Sequence, residues 1–212
     1  MNKPVIIFGS TGLAKATLEI FNSNRIVVYG FLDDDKETHN TEINGITVLG
    51  DTDDQGFLKL IGQKCDAFIA TDDNAERKKH VEYLNETRKV MPMNAVHESA
   101  IISESSSIGH GNFINAGAIL SNDSKIGQHN VINSKALIEQ EVEIGDFVQI
   151  GAGTIIGSKV IIEDGAFIGS GVTIVSGVTV GKKARIGAGS VVVANVAKGK
   201  TVFGNPAAEI SK

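Results

Sequence analysis

From Ala100 to Asn195 the chain repeats every six residues. Sixteen hexads follow one another without an insertion, and the third position of each is aliphatic, from Ile102, Ile108, Ile114 and Leu120 through to Val192. The first position is always Ala, Ser, Asn, Val or Thr, and the fourth is glycine in eight of the sixteen. Such a period predicts a solenoid. First and third residues lie on one side of a strand and point inward, so the aliphatic column becomes the core. Gly, Asn and Asp after it tolerate the positive φ of a tight turn. Three six-residue sides give 18 residues per coil, and sixteen hexads give a prism about 26 Å long at ~4.8 Å per coil.

Second positions then point outward and stack 18 residues apart. One column reads Ile101, Ile119, Leu137, Ile155, Thr173 and Val191. An aliphatic stripe of this length predicts self-association, or else cover from the preceding domain. Another column reads Phe113, Val131, Gln149, Phe167 and Arg185, a mixed apolar and polar surface that could take a long flexible ligand.

Before residue 97 the pattern differs. Apolar runs (Val5–Phe8, Arg25–Leu32, Ile46–Gly50, Asp66–Thr71) alternate with helix-like stretches (Leu13–Ser23, Asp53–Gln63, Asn74–Glu86), and Lys89–Met93 reads as a last extended piece. Alternation of this kind predicts a mostly parallel sheet covered by helices. Two domains are therefore expected, residues 1–96 and 97–212. In the first, "FGSTGLAKA" joins a strand to a helix, and its glycines can aim backbone N–H groups at an anion. Asp33 and Asp34 end the next strand, where carboxylates accept hydrogen bonds from a ribose or base. Fewer than 100 residues precede the repeats, which favours a single nucleotide or nucleotide sugar over NAD.

Composition narrows the classes. A net charge of −5 and a pI near 5.5 argue against a nucleic-acid partner. No apolar run reaches the roughly 20 residues of a membrane span. Cys65 is the single cysteine, so no internal disulfide can form; a cytoplasmic location is expected, with Cys65 as a buried structural thiol. His39 and His80 have no nearby cysteine or second histidine, so no metal is expected. His110 and His129 occupy turn positions and read as solvated turn residues, while His97 opens the repeats and caps them.

The stretches "FGSTG", "FLDDD", "DDNAERKK", "VHESA", "IEQEVEIGDF" and "VFGNPA" together resemble the hexapeptide-repeat acyltransferases that modify nucleotide-activated sugars: the bacillosamine-pathway acetyltransferases and the sialic acid O-acetyltransferase family. The resemblance covers essentially the whole chain. It implies a Rossmann-like α/β domain holding a UDP-linked amino sugar, then a left-handed parallel β-helix. It further implies a homotrimer that carries acetyl-CoA as co-substrate between neighbouring helices. By the same resemblance Thr11, Gly12, Asp33 and Asp34 fall at substrate-binding positions, with Leu13 where the family commonly has histidine. Asp72 replaces a glycine near the diphosphate. Glu141 matches the acidic residue that orients a catalytic histidine, but Gln140 stands in that histidine's place. Gln149 replaces a coenzyme-contacting histidine, and Ser170 and Ala188 fall at coenzyme-lining positions.

An amide cannot take a proton near neutral pH. The expectation is acyl transfer to an amino group, with Gln140 orienting and Glu141 accepting the proton. A non-catalytic trimeric nucleotide-sugar binder, an O-acyltransferase and a different acyl donor are the alternatives.

Overall fold

A computed structural model describes residues 3–210. The chain divides by its internal contacts into Met1–Ala95 and Val96–Lys212.

In the first unit the run Val5–Phe8 is wholly buried and forms β1, an interior strand of the sheet between β2 and β5. The elements that follow are α1 (Gly12–Ser23), β2 (Val28–Leu32), β3 (Glu42–Ile43), β4 (Ile46–Gly50), α2 (Gln55–Leu58), β5 (Asp66–Ile69) and α3 (Asn74–Arg88). The sheet order is β3-β4-β2-β1-β5, parallel except for the β3–β4 hairpin. Parallel strands bring their C-terminal ends to one edge, so the loops after β1, β2 and β5 meet there. α1 turns Leu13, Ala14, Leu18, Ile20 and Phe21 inward at helical spacing.

Two expectations for this unit change. The helix anticipated over Asp53–Gln63 is only the four residues of α2, and the chain beyond it turns at Gly62, which takes φ +83°. Lys89–Met93 forms no strand; Met93 donates one bond to the Ala67 carbonyl instead. Cys65 is 2% exposed, and burial pushes its thiol pKa up, with Asp66 adding to the effect.

The second unit is a parallel β-helix. Every hexad contributes a two-residue strand at its second and third positions, and each strand pairs in parallel with the one 18 residues away, as in Ile119 with Ile101 and Leu137. Three sheets result. The six-stranded one carries Ile101, Ile119, Leu137, Ile155, Thr173 and Val191; the five-stranded one runs from Ser107 to Thr179; the eight-stranded one ends in the antiparallel hairpin Thr201–Gly204 and Ala207–Glu209. The third-position aliphatics form one continuous core from Ile114 to Val192, and the first coil's Ile102 and Ile108 pack against it only partly buried.

The outward aliphatic stripe is present: Ile101 is 62% exposed and Ile155 45%. The mixed column is less open than its pattern suggests, because Phe113 and Val131 are buried; only its far end stays accessible, with the Arg185 guanidinium 4.5 Å over the Phe167 ring. His129 is not a solvated turn residue. It is 4% exposed at φ +57°, and its ring packs on Phe147 with centroids 5.0 Å apart. An aromatic neighbour one coil up turns an outward-looking turn position into a covered one. His97 Nδ1 accepts from the Ser99 amide at 3.1 Å, a bond within the turn that precedes the first hexad strand.

Candidate functional sites

At the sheet edge of the α/β unit lies a cavity of about 490 Å³, lined among others by Gly9, Thr11, Asp33, Asp34, Thr71, Asp72 and His80. Gly9 is required by the turn: it holds φ +98°, and a Cβ there would sit 3.0 Å from the Ala70 carbonyl oxygen. Gly12 is different, since a Cβ would meet nothing within 4 Å. Nothing in the chain itself excludes a side chain at that helix start. Thr11, the N-cap residue of α1, makes no side-chain cap; its hydroxyl donates to Asp72 at 3.1 Å. The first N–H groups of α1 are therefore left for something other than their usual cap. The Thr71 hydroxyl, with less than 1 Å² exposed, has no hydrogen-bond partner.

The two carboxylates after β2 have separate jobs. Asp33 is tied into the chain: Ser10 Oγ donates to Oδ2 at 2.5 Å and the Asp35 amide to Oδ1 at 2.9 Å. It joins the glycine loop to the end of β2. Asp34 takes the Thr52 amide at 2.8 Å and the Thr52 hydroxyl at 2.7 Å on Oδ1, leaving Oδ2 to the cavity. Burial opposes its charge, but the Thr52 bonds, helped by His80 and Lys79, hold its pKa below the ordinary carboxylate value. Leu13, one of the expected substrate positions, is 7% exposed in the core and does not line this cavity.

Two residues that sequence reasoning passed over belong here. His80, on the inward face of α3, borders the cavity with its ring 6.0 Å from Phe8; burial lowers its pKa, against the pull of Asp34. Arg77 is 1% exposed and braces the loop after β5, donating to the Thr71 carbonyl at 2.7 Å and to the Asn74 side chain. Burial lowers its pKa to about 10 despite Asp72 and Asp73. Its only sequence signal was a position one turn after the acidic N-cap Asp73.

The β-helix holds the other expected residues. Gln140 and Glu141 lie at the turn between the six- and five-stranded sheets. Glu141 takes φ +58°, donates its amide to the Asn122 carbonyl at 3.1 Å, and faces Lys159 Nζ at 3.7 Å. Gln140 is half-buried and its carbonyl accepts from the Lys159 amide at 3.1 Å. Gln149 sits in the eight-stranded sheet between Val131 and Phe167. Ser170 and Ala188 stack at the turns between the eight- and six-stranded sheets, where the Gly189 amide bonds the Ser170 carbonyl at 2.9 Å. Their column is smooth because Gly151 and Gly169 leave room for the backbone of the next coil. One chain therefore brings Gln140 to Glu141, and Ser170 to Ala188, but holds the two pairs on different edges of the prism.

Comparison with known proteins agrees with this architecture. Residues 4–84 match the PglD N-terminal domain, residues 141–175 the bacterial transferase hexapeptide (six repeats), and residues 159–194 the hexapeptide repeat of succinyl-transferase. No curated protein matches the sequence. Among solved structures, GDP-perosamine N-acetyl transferase from Caulobacter crescentus, a histidine-to-alanine variant in complex with CoA and GDP-perosamine, is 28% identical with a TM-score of 0.91, covering 99% of this chain and 97% of that one. The acetyltransferase domain of PglB from Neisseria gonorrhoeae, in complex with acetyl coenzyme A, is 25% identical with a TM-score of 0.89 over 99% and 100%. WeeI from Acinetobacter baumannii is 26% identical with a TM-score of 0.86 over 98% and 99%. A PglD-type α/β domain is thus joined to hexapeptide repeats, in a fold shared along nearly its whole length with sugar N-acetyltransferases, which the chain resembles.

Proposed function

We propose that the protein transfers an acetyl group from acetyl-CoA to the amino group of a nucleotide-activated sugar. The observation that carries this reading is the pairing of a glycine-loop cavity faced by Asp34 with a β-helix that places Glu141 beside Gln140. The relatives described with GDP-perosamine and with acetyl coenzyme A support the two ligand classes. The resemblance implied uridine as the carrier, whereas the perosamine enzyme's ligand carries guanosine.

In the proposed step the sugar nitrogen attacks the thioester carbonyl, the C–S bond breaks, and the products are an amide and the free thiol. The nitrogen's proton passes to Glu141, directly or through water, and from there to the departing thiolate. An uncharged amine attacks before losing its proton, so a weak base is tolerable; a missing general base costs about 10²–10⁴ in rate. Positioning both substrates can supply roughly 7–11 kcal/mol. Gln140 has no proton equilibrium to contribute and acts as an orienting amide. Because the coenzyme-lining pair and the Gln140 pair stand on different edges of one prism, we place the complete site between copies of the chain, joined along the Ile101–Val191 stripe in a trimer.

The test is initial-rate thiol release from acetyl-CoA with matched amino and hydroxy nucleotide sugars, for wild type, Gln140→His, Glu141→Ala and Leu137→Glu. Gln140→His should raise the rate, more for the hydroxyl acceptor than for the amine. Glu141→Ala should lower it. Leu137→Glu should bury an unpaired charge in the stripe, reducing both the sedimentation mass and the rate. If wild type and Gln140→His are both silent while nucleotide sugar still binds, the chain is a binder and not an enzyme. If Glu141→Ala is unimpaired, the proton leaves by another route.

A further inference from the structure

His80 differs from the other polar groups of the glycine-loop cavity in having no partner in the chain. Its ring is half-buried, 6.0 Å from the Phe8 ring, and among the described residues neither ring nitrogen makes a hydrogen bond or ion pair. Its neighbours are engaged: Asp33 accepts from Ser10, Asp34 from Thr52 and Asp72 from Thr11, and Asp73 caps α3. A polar ring set against an aromatic side chain gives up water on that side and gains no protein partner in exchange. A ligand in the cavity supplies one.

The walls are short of positive charge. Asp33, Asp34, Asp35, Asp72, Asp73 and Glu76 line the glycine-loop cavity against Lys79 and His80. The adjoining cavity of about 600 Å³, which His80 also borders, adds Asp51, Asp53, Glu82 and Glu86 against Lys36. Each phosphate of a nucleotide sugar carries a negative charge, and the uncapped N–H groups at the start of α1 offer only partial positive charge. A lysine is already charged near neutral pH and has nothing to add when an anion arrives. Histidine changes its charge in the physiological range, and His80 is the one histidine on these walls. Before binding, burial disfavours its charged form, with Lys79 adding to the effect, and outweighs the pull of Asp34, Glu76 and Asp33. A phosphate brought within about 4–6 Å reverses that balance, because an opposite charge favours the protonated ring.

We propose that His80 contacts the diphosphate of the bound nucleotide sugar and takes up a proton as it binds. The inference rests on the nucleotide-binding reading above and adds a proton to that step. The neutral ring becomes an imidazolium that donates to a phosphate oxygen, so the cavity gains a cation as the anion enters. Binding therefore tightens as pH falls.

The experiment is titration calorimetry of the full chain with UDP-N-acetylglucosamine and with GDP-mannose, whose diester phosphates do not titrate near neutral pH. Buffers of different ionisation enthalpy count the protons taken up. Between about pH 8 and about pH 6 affinity should rise roughly five-fold, as expected when a phosphate raises one imidazole's pKa by about one. A fraction of a proton should be taken up with each ligand. His80→Gln and His80→Asn, checked for folding by circular dichroism, should bind with no pH dependence and no proton uptake. Lys79→Gln should bind more weakly at every pH with the slope intact. Wild-type binding that ignores pH and takes up no proton overturns the proposal and leaves the nucleotide site standing. A slope that survives in both His80 variants overturns the assignment to His80, as does a slope lost in Lys79→Gln. Failure of both nucleotide sugars to bind removes the nucleotide reading and the proposal together.

Discussion

In the β-helix, Asn112 and Asn130 are wholly buried and turn their side chains to the backbone: Asn112 Oδ1 takes the Asn130 amide at 2.9 Å, and Asn130 Oδ1 takes the Val148 amide one coil on at 2.6 Å. In the α/β unit, Asp34 and Asp72 stand exposed at strand ends around cavities. The first arrangement satisfies amides that a turn would otherwise strand in the core. The second holds charged side chains by hydrogen bonds from Thr11 and Thr52 at a place where a ligand can also meet them. Polar residues of similar size thus do opposite work, and their burial distinguishes the two uses more reliably than their type.

That contrast can be broken at three levels of effect. The largest is apolar. Ile150 is 0% exposed in the β-helix core, and Ile150→Ala should cost about 2–5 kcal/mol in urea unfolding while leaving nucleotide affinity of the folded protein unchanged. A change in affinity would mean that the β-helix core supports the cavity.

The next is the polar pair itself. Asn130→Ala strands the Val148 amide and should cost about 1–3 kcal/mol, again with nucleotide binding intact. Ser10→Ala should behave in the reverse sense, costing about 1 kcal/mol but weakening nucleotide binding, because the glycine loop loses its tie to Asp33. If Ser10→Ala binds as wild type does, Asp33 does not act through that loop.

The smallest effect is in pH. His80 is half-buried with a lowered pKa, so between its folded value and the ordinary value near 6.5 the unfolded chain binds more protons. Its contribution to stability is complete above about pH 6.5 and is lost as pH falls through that window. Unfolding midpoints for wild type should therefore drop from pH 7 to pH 5 more than those of His80→Gln. Parallel curves would mean that another group sets the acid limb.

The β-helix was legible because one side-chain period repeats sixteen times, and the 18-residue pairing of Ile101, Ile119 and Leu137 follows from it directly. Its exceptions arise where neighbouring coils supply cover: His129 sits at a turn position like any other, and Phe147 on one side with Gly111 on the other covers its ring. In the α/β unit the strands and α1 were legible from apolar runs, yet the helix read over Asp53–Gln63 shrinks to α2, since its apolar spacing runs on into the turn that Gly62 makes at positive φ. Asp33 and Asp34 were adjacent and alike in sequence. What separates them is Ser10 and Thr52, 23 and 18 residues away, which no local pattern connects to them. Arg77 and His80 carried no local signal of burial; packing of the helix against the sheet, with His80 beside Phe8, covers them.

The parallel pairing at a fixed interval of 18 residues makes the β-helix a ruler graduated in whole coils. Each graduation is about 4.8 Å. Added or lost residues that do not amount to a full coil cannot lengthen the prism and must bulge from a turn. The spacing between Ser170 and Ala188, and between Gln140 and Ser158, is consequently a constant of the architecture. A donor with a slightly longer acyl chain would be accommodated by trimming an outward second-position side chain or reshaping a turn, never by stretching the scaffold a little. Variation in what such a chain acylates should collect at those turns and in the α/β unit, while coil number changes in single steps.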